Sequence, residues 1–341
     1  MKVFERLSMR NSLFVMFGSI SAFVFFNFAI LHGLNGKEKV TNNNSPAHFP
    51  SKVDAKTFVS QLSSKNSGRS SGCKRVELIS EGTNRSHCLT LPQRGDGFGM
   101  RYLGVFSAIA WAAYNNKTYC HSGLRRRNKL HRTNNTEANI LIGMKIADHC
   151  KGCKKGGGGL FNMTLNGKYN INRMMTNCVR SQIRDYYEEG VSLLGYNNGI
   201  GFENGYINVA VHIRRGDVVG VHKDEWHGRL RYLSLERTGE MMNFIEEKYS
   251  GKAKIFFNIF SEGRPSDFQA LLENRKNARL QLLGQRGMMR TFHAFTRADV
   301  LIIGLSSFSY VAALLNGGTE IYYPLREWNL FFRPLREWHG I

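Results

Sequence analysis

Three kinds of apolar pattern alternate along this chain. The first is a long uncharged run. Asn11 to Gly36 contains no Lys, Arg, Asp or Glu, and Leu13 to Leu31 is dominated by Phe, Val, Ile and Leu. About 20 apolar residues cross a bilayer as a helix, whereas the apolar region of a cleaved signal peptide is about 7–15 residues long. The run therefore predicts one membrane-spanning signal-anchor over 11–34. Lys2, Arg6 and Arg10 precede it and favour a cytoplasmic tail at 1–10, although Lys37 and Lys39 follow it. Residues 35–72 are rich in Ser and Asn and poor in apolar side chains, which predicts a flexible stem that buries no core.

The second pattern is the short buried strand. Ile207, Val209, Val211 and Ile213 alternate at period two while Ala210 keeps the opposite face small. That predicts a strand buried on both faces, the kind found in parallel sheets. Lys254 to Phe260, Val300 to Ile303, Glu320 to Tyr323 and Asn116 to Cys120 read as further strands. The third pattern has helical spacing. Leu103, Phe106, Ile109, Ala110 and Ala113 form a stripe over 100–114, and Met242, Ile245 and Tyr249 another over 235–249. Ser266 and Gln269 read as a capping box opening a helix to about Asn274. Ser306 and Ser307 cap a helix that turns Phe308, Val311 and Leu315 inward, stopped by Gly317 and Gly318. Strands alternating with helices predict an α/β fold. Residues 121–170 are polar, glycine-rich and weakly patterned, and read as long functional loops.

The central strand stops on charge. His212 and Arg214 share one face, Arg215 takes the other, Gly216 permits a turn, and Asp217 can cap the next segment. In open α/β sheets ligands bind at the carboxyl ends of strands. Two adjacent arginines there suit a pyrophosphate. The plain alternative is a solvated strand end with an Arg–Asp pair. Glu262 also follows a strand, as ligand group or helix cap. Ser306 and Ser307 open a helix whose N–H groups and dipole attract phosphate. Gly95, Gly97 and Gly99 precede another helix, where glycines let backbone approach a ligand.

Composition narrows the partners. Of 341 residues 42% are hydrophobic, enough for a sizeable core, and the formal charge is +21 with pI near 9.9. This charge implies an acidic partner. Nucleic acid is disfavoured, because Lys and Arg are scattered apart from Arg125-Arg126-Arg127 and no nucleic-acid motif occurs. Sequons at Asn43, Asn84, Asn116, Asn134 and Asn162 fit a lumenal bulk. Cys73, Cys88, Cys120, Cys150, Cys153 and Cys178 all lie on that side, an even set that predicts disulfides. Cys150-x-x-Cys153 lacks the second pair of a structural zinc site and predicts a structural disulfide or a pair of them.

The string His-Ile-Arg-Arg-Gly-Asp at 212–217 resembles the His-x-Arg-Arg-x-Asp motif of the α1,2-, α1,6- and protein-O-fucosyltransferase superfamily, and its Gly-Asp ending is most similar to the α1,2 branch. Ala298-Asp299 through Ile302, followed by Ser306-Ser307-Phe308-Ser309, resembles the superfamily's third motif. The glycine turn at 95–99 is similar to the family's first strand-to-helix turn, without its usual Asn. The family commonly has Asp where this chain has Glu262. The resemblance implies a GT-B arrangement of two Rossmann-like domains, acceptor-side over 73–205 and GDP-sugar-binding over 206–341. It implies an inverting, metal-independent transfer of fucose from GDP-fucose to a glycan, a galactoside in α1,2 linkage for that branch, by a type II Golgi protein without cofactor. Donor contacts then fall on His212, Arg214, Arg215, Ser306, Ser307, Phe308 and Ser309, with Arg214 on the β-phosphate. Catalysis falls on Arg214, Asp217 and Glu262. An α1,6- or protein-O-fucosyltransferase and a non-catalytic membrane-anchored lectin are the alternatives. Pro324 to Trp328 recurs as Pro334 to Trp338, a local duplication with no assigned role.

Overall fold

The computed structural model describes residues 75–78, 87–90, 97–124, 135–147, 150–155, 171–196, 201–219, 230–282, 287–317, 320–328 and 333–341. The expected anchor, the stem, Gly95 and the sequons at Asn43, Asn84, Asn134 and Asn162 lie outside these residues. Among the described residues no helix is long and apolar enough to cross a membrane. All of them belong to one compact unit, Ser51–Ile341.

Two parallel sheets organise the chain. The smaller is built from β1 (Cys88–Thr90), helix α1 (Phe98–Tyr114), β2 (Thr118–Cys120), α2 (Asn135–Ile142), β3 (Lys154–Lys155), α3 (Ile171–Met174) and α4 (Asn177–Leu194), with strand order β2-β1-β3. Cys88 is bridged to Cys153 and Cys120 to Cys150, so the Cys-x-x-Cys staples two neighbouring strands and not itself. Cys178 is also disulfide-bonded. The strand expected from Asn116 begins only at Thr118, because Asn116 turns the chain at φ 53°. Helix α1 is buried nearly all round rather than along one stripe, as befits a helix inside the core.

The larger sheet carries β4 (Ile207–Ile213), α5 (Leu235–Tyr249), β5 (Ile255–Ser261), α6 (Gln269–Leu272), β6 (Ala278–Leu282), α7 (Met288–Arg297), β7 (Val300–Ile302), α8 (Ser307–Leu315), β8 (Glu320–Tyr323) and β9 (His339–Gly340). Its order is β6-β5-β4-β7-β8-β9, parallel throughout. Counting β4 as first, that is 3-2-1-4-5-6, the doubly wound order of nucleotide-binding sheets. Strand β4 is buried at every position. Its Ile207, Val209, Val211 and Ile213 meet Met241, Met242, Ile245 and Tyr249 of α5. Its Ala210 joins Phe292, Phe295, Tyr310 and Val311 of α7 and α8 on the other face. The capping box after β5 is not Ser266 with Gln269. Asp267 accepts the Arg264 backbone N–H at 2.8 Å, Pro265 opens a 3-10 turn, and α6 ends at Leu272.

One apolar cluster crosses residue 205 and holds side chains of α1, α4, α7 and α8 together. Arg184 of α4 donates to the carbonyls of Leu315 (2.9 Å) and Asn316 (3.0 Å), placing a cation on the carboxyl end of α8. The duplicated pentapeptide is a clasp. Trp328 and Trp338 pack around Tyr310 at 6.4 and 5.2 Å between ring centroids, and the two glutamates pair with different helices, Glu327 with Arg237 of α5 and Glu337 with Arg180 of α4.

Candidate functional site

Strand order reverses between β4 and β7, and the crevice outside their carboxyl ends is where ligands bind in such sheets. His212, Arg214, Arg215, Asp217, Glu262 and Ser306 to Ser309 all gather there. Burial on both faces leaves β4 no freedom of register, so alternation sends Arg214 to the α8 side and Arg215 to the α5 side. Arg214 is partly exposed (26%) and lies between two carboxylates, bonded to Asp217 and 3.6 Å from Glu262. Arg215 is buried. Its Nη1 donates to the carbonyls of Arg214 (2.9 Å) and Leu233 (3.0 Å), and its guanidinium lies 4.6 Å from the centroid of Tyr232. Burial lowers its pKa, and its Nη2 has no hydrogen-bond partner among the described residues. The two arginines are thus unequal: one faces the crevice and the other holds the turn together.

Glu262 continues from β5 and accepts the Arg215 backbone N–H at 3.1 Å. Ser261 donates to the Ile213 carbonyl at 2.8 Å, fixing the ends of β4 and β5 side by side. Asp217 sits in a 3-10 turn, Gly216–Val218, with about half of its side chain exposed.

His212 is buried, and its Nδ1 shares a 2.8 Å hydrogen bond with the Ser309 hydroxyl. Burial, reinforced by the charge of Arg214, pushes its pKa down to about 3, so the ring is neutral at physiological pH. Ser306 caps α8, its Oγ accepting from the Phe308 N–H at 3.3 Å. Ser307 and Phe308 are half-buried at the helix start, and Phe308 packs among Phe98, Phe292, Phe295 and His212. A Cβ on Gly304 would stand 2.7 Å from the His212 carbonyl oxygen, so the loop after β7 lies directly on the end of β4.

The glycine turn contributes by packing. A Cβ on Gly99 would lie 2.5 Å from the Phe308 nitrogen, so the amino termini of α1 and α8 are pressed together at that glycine. Gly97 precedes α1 with no side-chain cap and open space around its Cα. Arg101 is buried on the first turn of α1 and its pKa is lowered by that burial. Asn116 is exposed on the turn between α1 and β2. Among the described residues no group of three His, Cys, Asp or Glu could hold a metal ion.

Sequence reasoning singled out the charged cluster but missed the tie between His212 and Ser309 and the role of Gly99 as a contact. The signal for both was partial: a small residue opposite a helix start, and a hydroxyl one turn into α8. No family model matches the sequence, and no curated protein does. Similar solved structures include POFUT1 in complex with GDP-fucose, at 13% identity over 72% of this chain and 99% of that one, with TM-score 0.38. A mutant of Arabidopsis thaliana FUT1 in complex with GDP is 10% identical over 74% and 73% of the two chains, with TM-score 0.37. NodZ alpha-1,6-fucosyltransferase soaked with GDP-fucose is 9% identical over 67% and 92%, with TM-score 0.35. The chain spans half the length of another POFUT1 structure in complex with GDP, at 16% identity over 43% of this chain, with TM-score 0.27.

Proposed function

We propose that this protein is an inverting fucosyltransferase of GT-B type that moves fucose from GDP-fucose to a glycan, an α1,2-linked galactoside product being the first expectation. The observation that carries the reading is the meeting of the His212–Asp217 segment with the amino terminus of α8 where the strand order reverses. A pyrophosphate placed there meets a forked cation from one side and a helix dipole from the other.

Arg214 is the group whose work grows as the reaction proceeds. Negative charge builds on the departing GDP, and a guanidinium already aimed at it stabilises the transition state more than the ground state. Before the donor arrives the same guanidinium is held by Asp217 and Glu262. Donor phosphate then competes with these carboxylates for Arg214, and the half-exposed Asp217 is the one freer to leave. Released, it is a candidate base for the acceptor hydroxyl, which attacks opposite the leaving group. Glu262 is the second candidate, constrained by its bond to the Arg215 N–H. His212, neutral and tied to Ser309, positions α8 instead of moving protons.

The sequence contains no Asp-x-Asp, and the positive charge at the crevice comes from Arg214 and α8, so transfer proceeds without a bridging metal. Residues 11–34 anchor the chain as a type II Golgi protein, with the catalytic region lumenal. Incubation with GDP-fucose and a mixed glycan array, with and without EDTA, tests the reading and maps the linkage. Fucose is expected on galactoside acceptors in both arms. Donor turnover that is lost in EDTA and restored by Mn²⁺ would contradict the metal-free site, and no transfer to any glycan would contradict the enzyme.

A further inference from the structure

On α7, away from the crevice, His293 belongs to none of this chemistry yet is almost wholly buried, at 2% exposure. It borders an open recess of about 380 Å³ between α4 and α7, lined also by Glu188, Val191, Ser192, Tyr196, Phe202 and Arg297. Small-molecule pockets run from about 300 to 1,000 Å³ and favour seams between structural halves. This one lies where a helix of the first half meets a helix packed on the larger sheet.

The wall chemistry is specific. The Tyr187 hydroxyl lies 3.0 Å from His293 Nδ1, and the Thr296 hydroxyl donates to the His293 carbonyl at 2.8 Å. The Thr296 hydroxyl also lies 3.3 Å from the Tyr187 hydroxyl, so Thr296, Tyr187 and His293 form one buried polar chain. Burial pushes the His293 pKa down to about 4, so the ring stays neutral. Glu188 and Arg297 form an ion pair at the rim and present acceptor and donor side by side. Tyr196 and Phe202 supply aromatic surface. Tyr196 is fixed by its hydroxyl on Glu137 and by the Arg290 guanidinium 5.9 Å from its ring centroid. A lone anion there meets Glu188, and a lone cation meets Arg297. A neutral ring with hydroxyls around its edge and an apolar face satisfies every wall at once.

We infer that the recess between α4 and α7 is a second ligand site that takes a neutral hexopyranose, held by Glu188, Arg297 and His293 through its hydroxyls and by Tyr196 and Phe202 through its apolar face. Only the source of that sugar, a unit of the glycan acceptor, rests on the fucosyltransferase reading.

Saturation-transfer NMR of the full chain in detergent, with lactose as probe and glucuronate as its charged counterpart, tests the site. Lactose is expected to bind and glucuronate to bind more weakly. Glu188→Gln and Phe202→Ala should each weaken lactose by about tenfold, the loss of one good contact. Asp185→Ala, on the same helix but outside the recess, removes an exposed ion pair with Arg75 of the segment before β1 and should leave lactose binding unchanged. Melting temperatures distinguish lost binding from lost folding, and Glu188→Gln, at a half-exposed rim position, keeps the test alive if Phe202→Ala unfolds. No lactose binding to the wild type, equal binding by Glu188→Gln, or preference for glucuronate overturns the assignment. GDP titration of the same wild-type sample reports on the crevice separately, so failure of one site is not mistaken for failure of the other.

Discussion

Arg214 and Arg215 are neighbours in sequence and opposites in role, because a strand sends consecutive side chains to opposite faces. Arg215 bonds two backbone carbonyls and lies against Tyr232, a geometry that the single ammonium of Lys does not reproduce. Sequence alone predicts that position 215 tolerates Lys better than 214 if Arg215 only pairs with a carboxylate. Burial reverses this for stability. Arg215→Lys should lower unfolding free energy by about 1–3 kcal/mol, the range for a disrupted buried hydrogen-bond network, read as a shifted urea midpoint. The buried histidines set an acid limit. His121, His212 and His293 have folded pKa values of about 4, 3 and 4 against 6.5 for the free side chain. Below pH 6.5 the unfolded chain binds protons that the folded chain refuses, so stability falls as pH drops toward 4. Each histidine contributes at most about 1.4 kcal/mol per pH unit. Above 6.5 both states are neutral and the contribution is flat. Urea unfolding between pH 7 and 5 should be less pH-dependent for His212→Asn than for the wild type, and identical slopes would contradict the burial argument.

At the scale of elements, periodicity located β4, β5, β7, β8, α1, α5 and α8, because each buries a patterned face. It missed α4, although Thr176 caps it, Val179, Ile183, Tyr187 and Val191 repeat every four residues, and Gly195 ends it in the left-handed region. The face also buries Gln182 and Gly190, so polar and small residues break its apolar pattern, and the surrounding charge obscured it. It missed β6 because every position of that edge strand is only partly buried, leaving no alternation to read. The pairing of Cys88 with Cys153 and Cys120 with Cys150 was equally illegible, since it depends on which strands neighbour each other. The duplicated pentapeptide was visible as a repeat, but its meaning needed Tyr310, the side chain both tryptophans share. Trp338 is nearly buried while Trp328 is only partly so. Trp338→Ala should destabilise by about 3–5 kcal/mol and Trp328→Ala by less. Equal shifts in melting temperature would show that the clasp has no buried half.

At the scale of the molecule, the parallel α/β class followed from strands alternating with helices, whereas the 3-2-1-4-5-6 order did not, because neighbouring in a sheet is invisible in a linear pattern. That order turns a charged string into a site: it brings Arg214, Glu262 and the start of α8 to one crevice. The charge of +21 is consistent with an anionic donor but selects none. The central claim is that Arg214 holds phosphate during transfer, and Arg214→Lys tests it most directly. Lys keeps the charge and loses the two-pronged grip. Turnover at saturating GDP-fucose should fall a hundredfold or more, the effect of removing about 2.7–4 kcal/mol of transition-state stabilisation, with an unchanged circular dichroism spectrum. A well-folded Arg214→Lys enzyme with near-normal turnover would contradict the account.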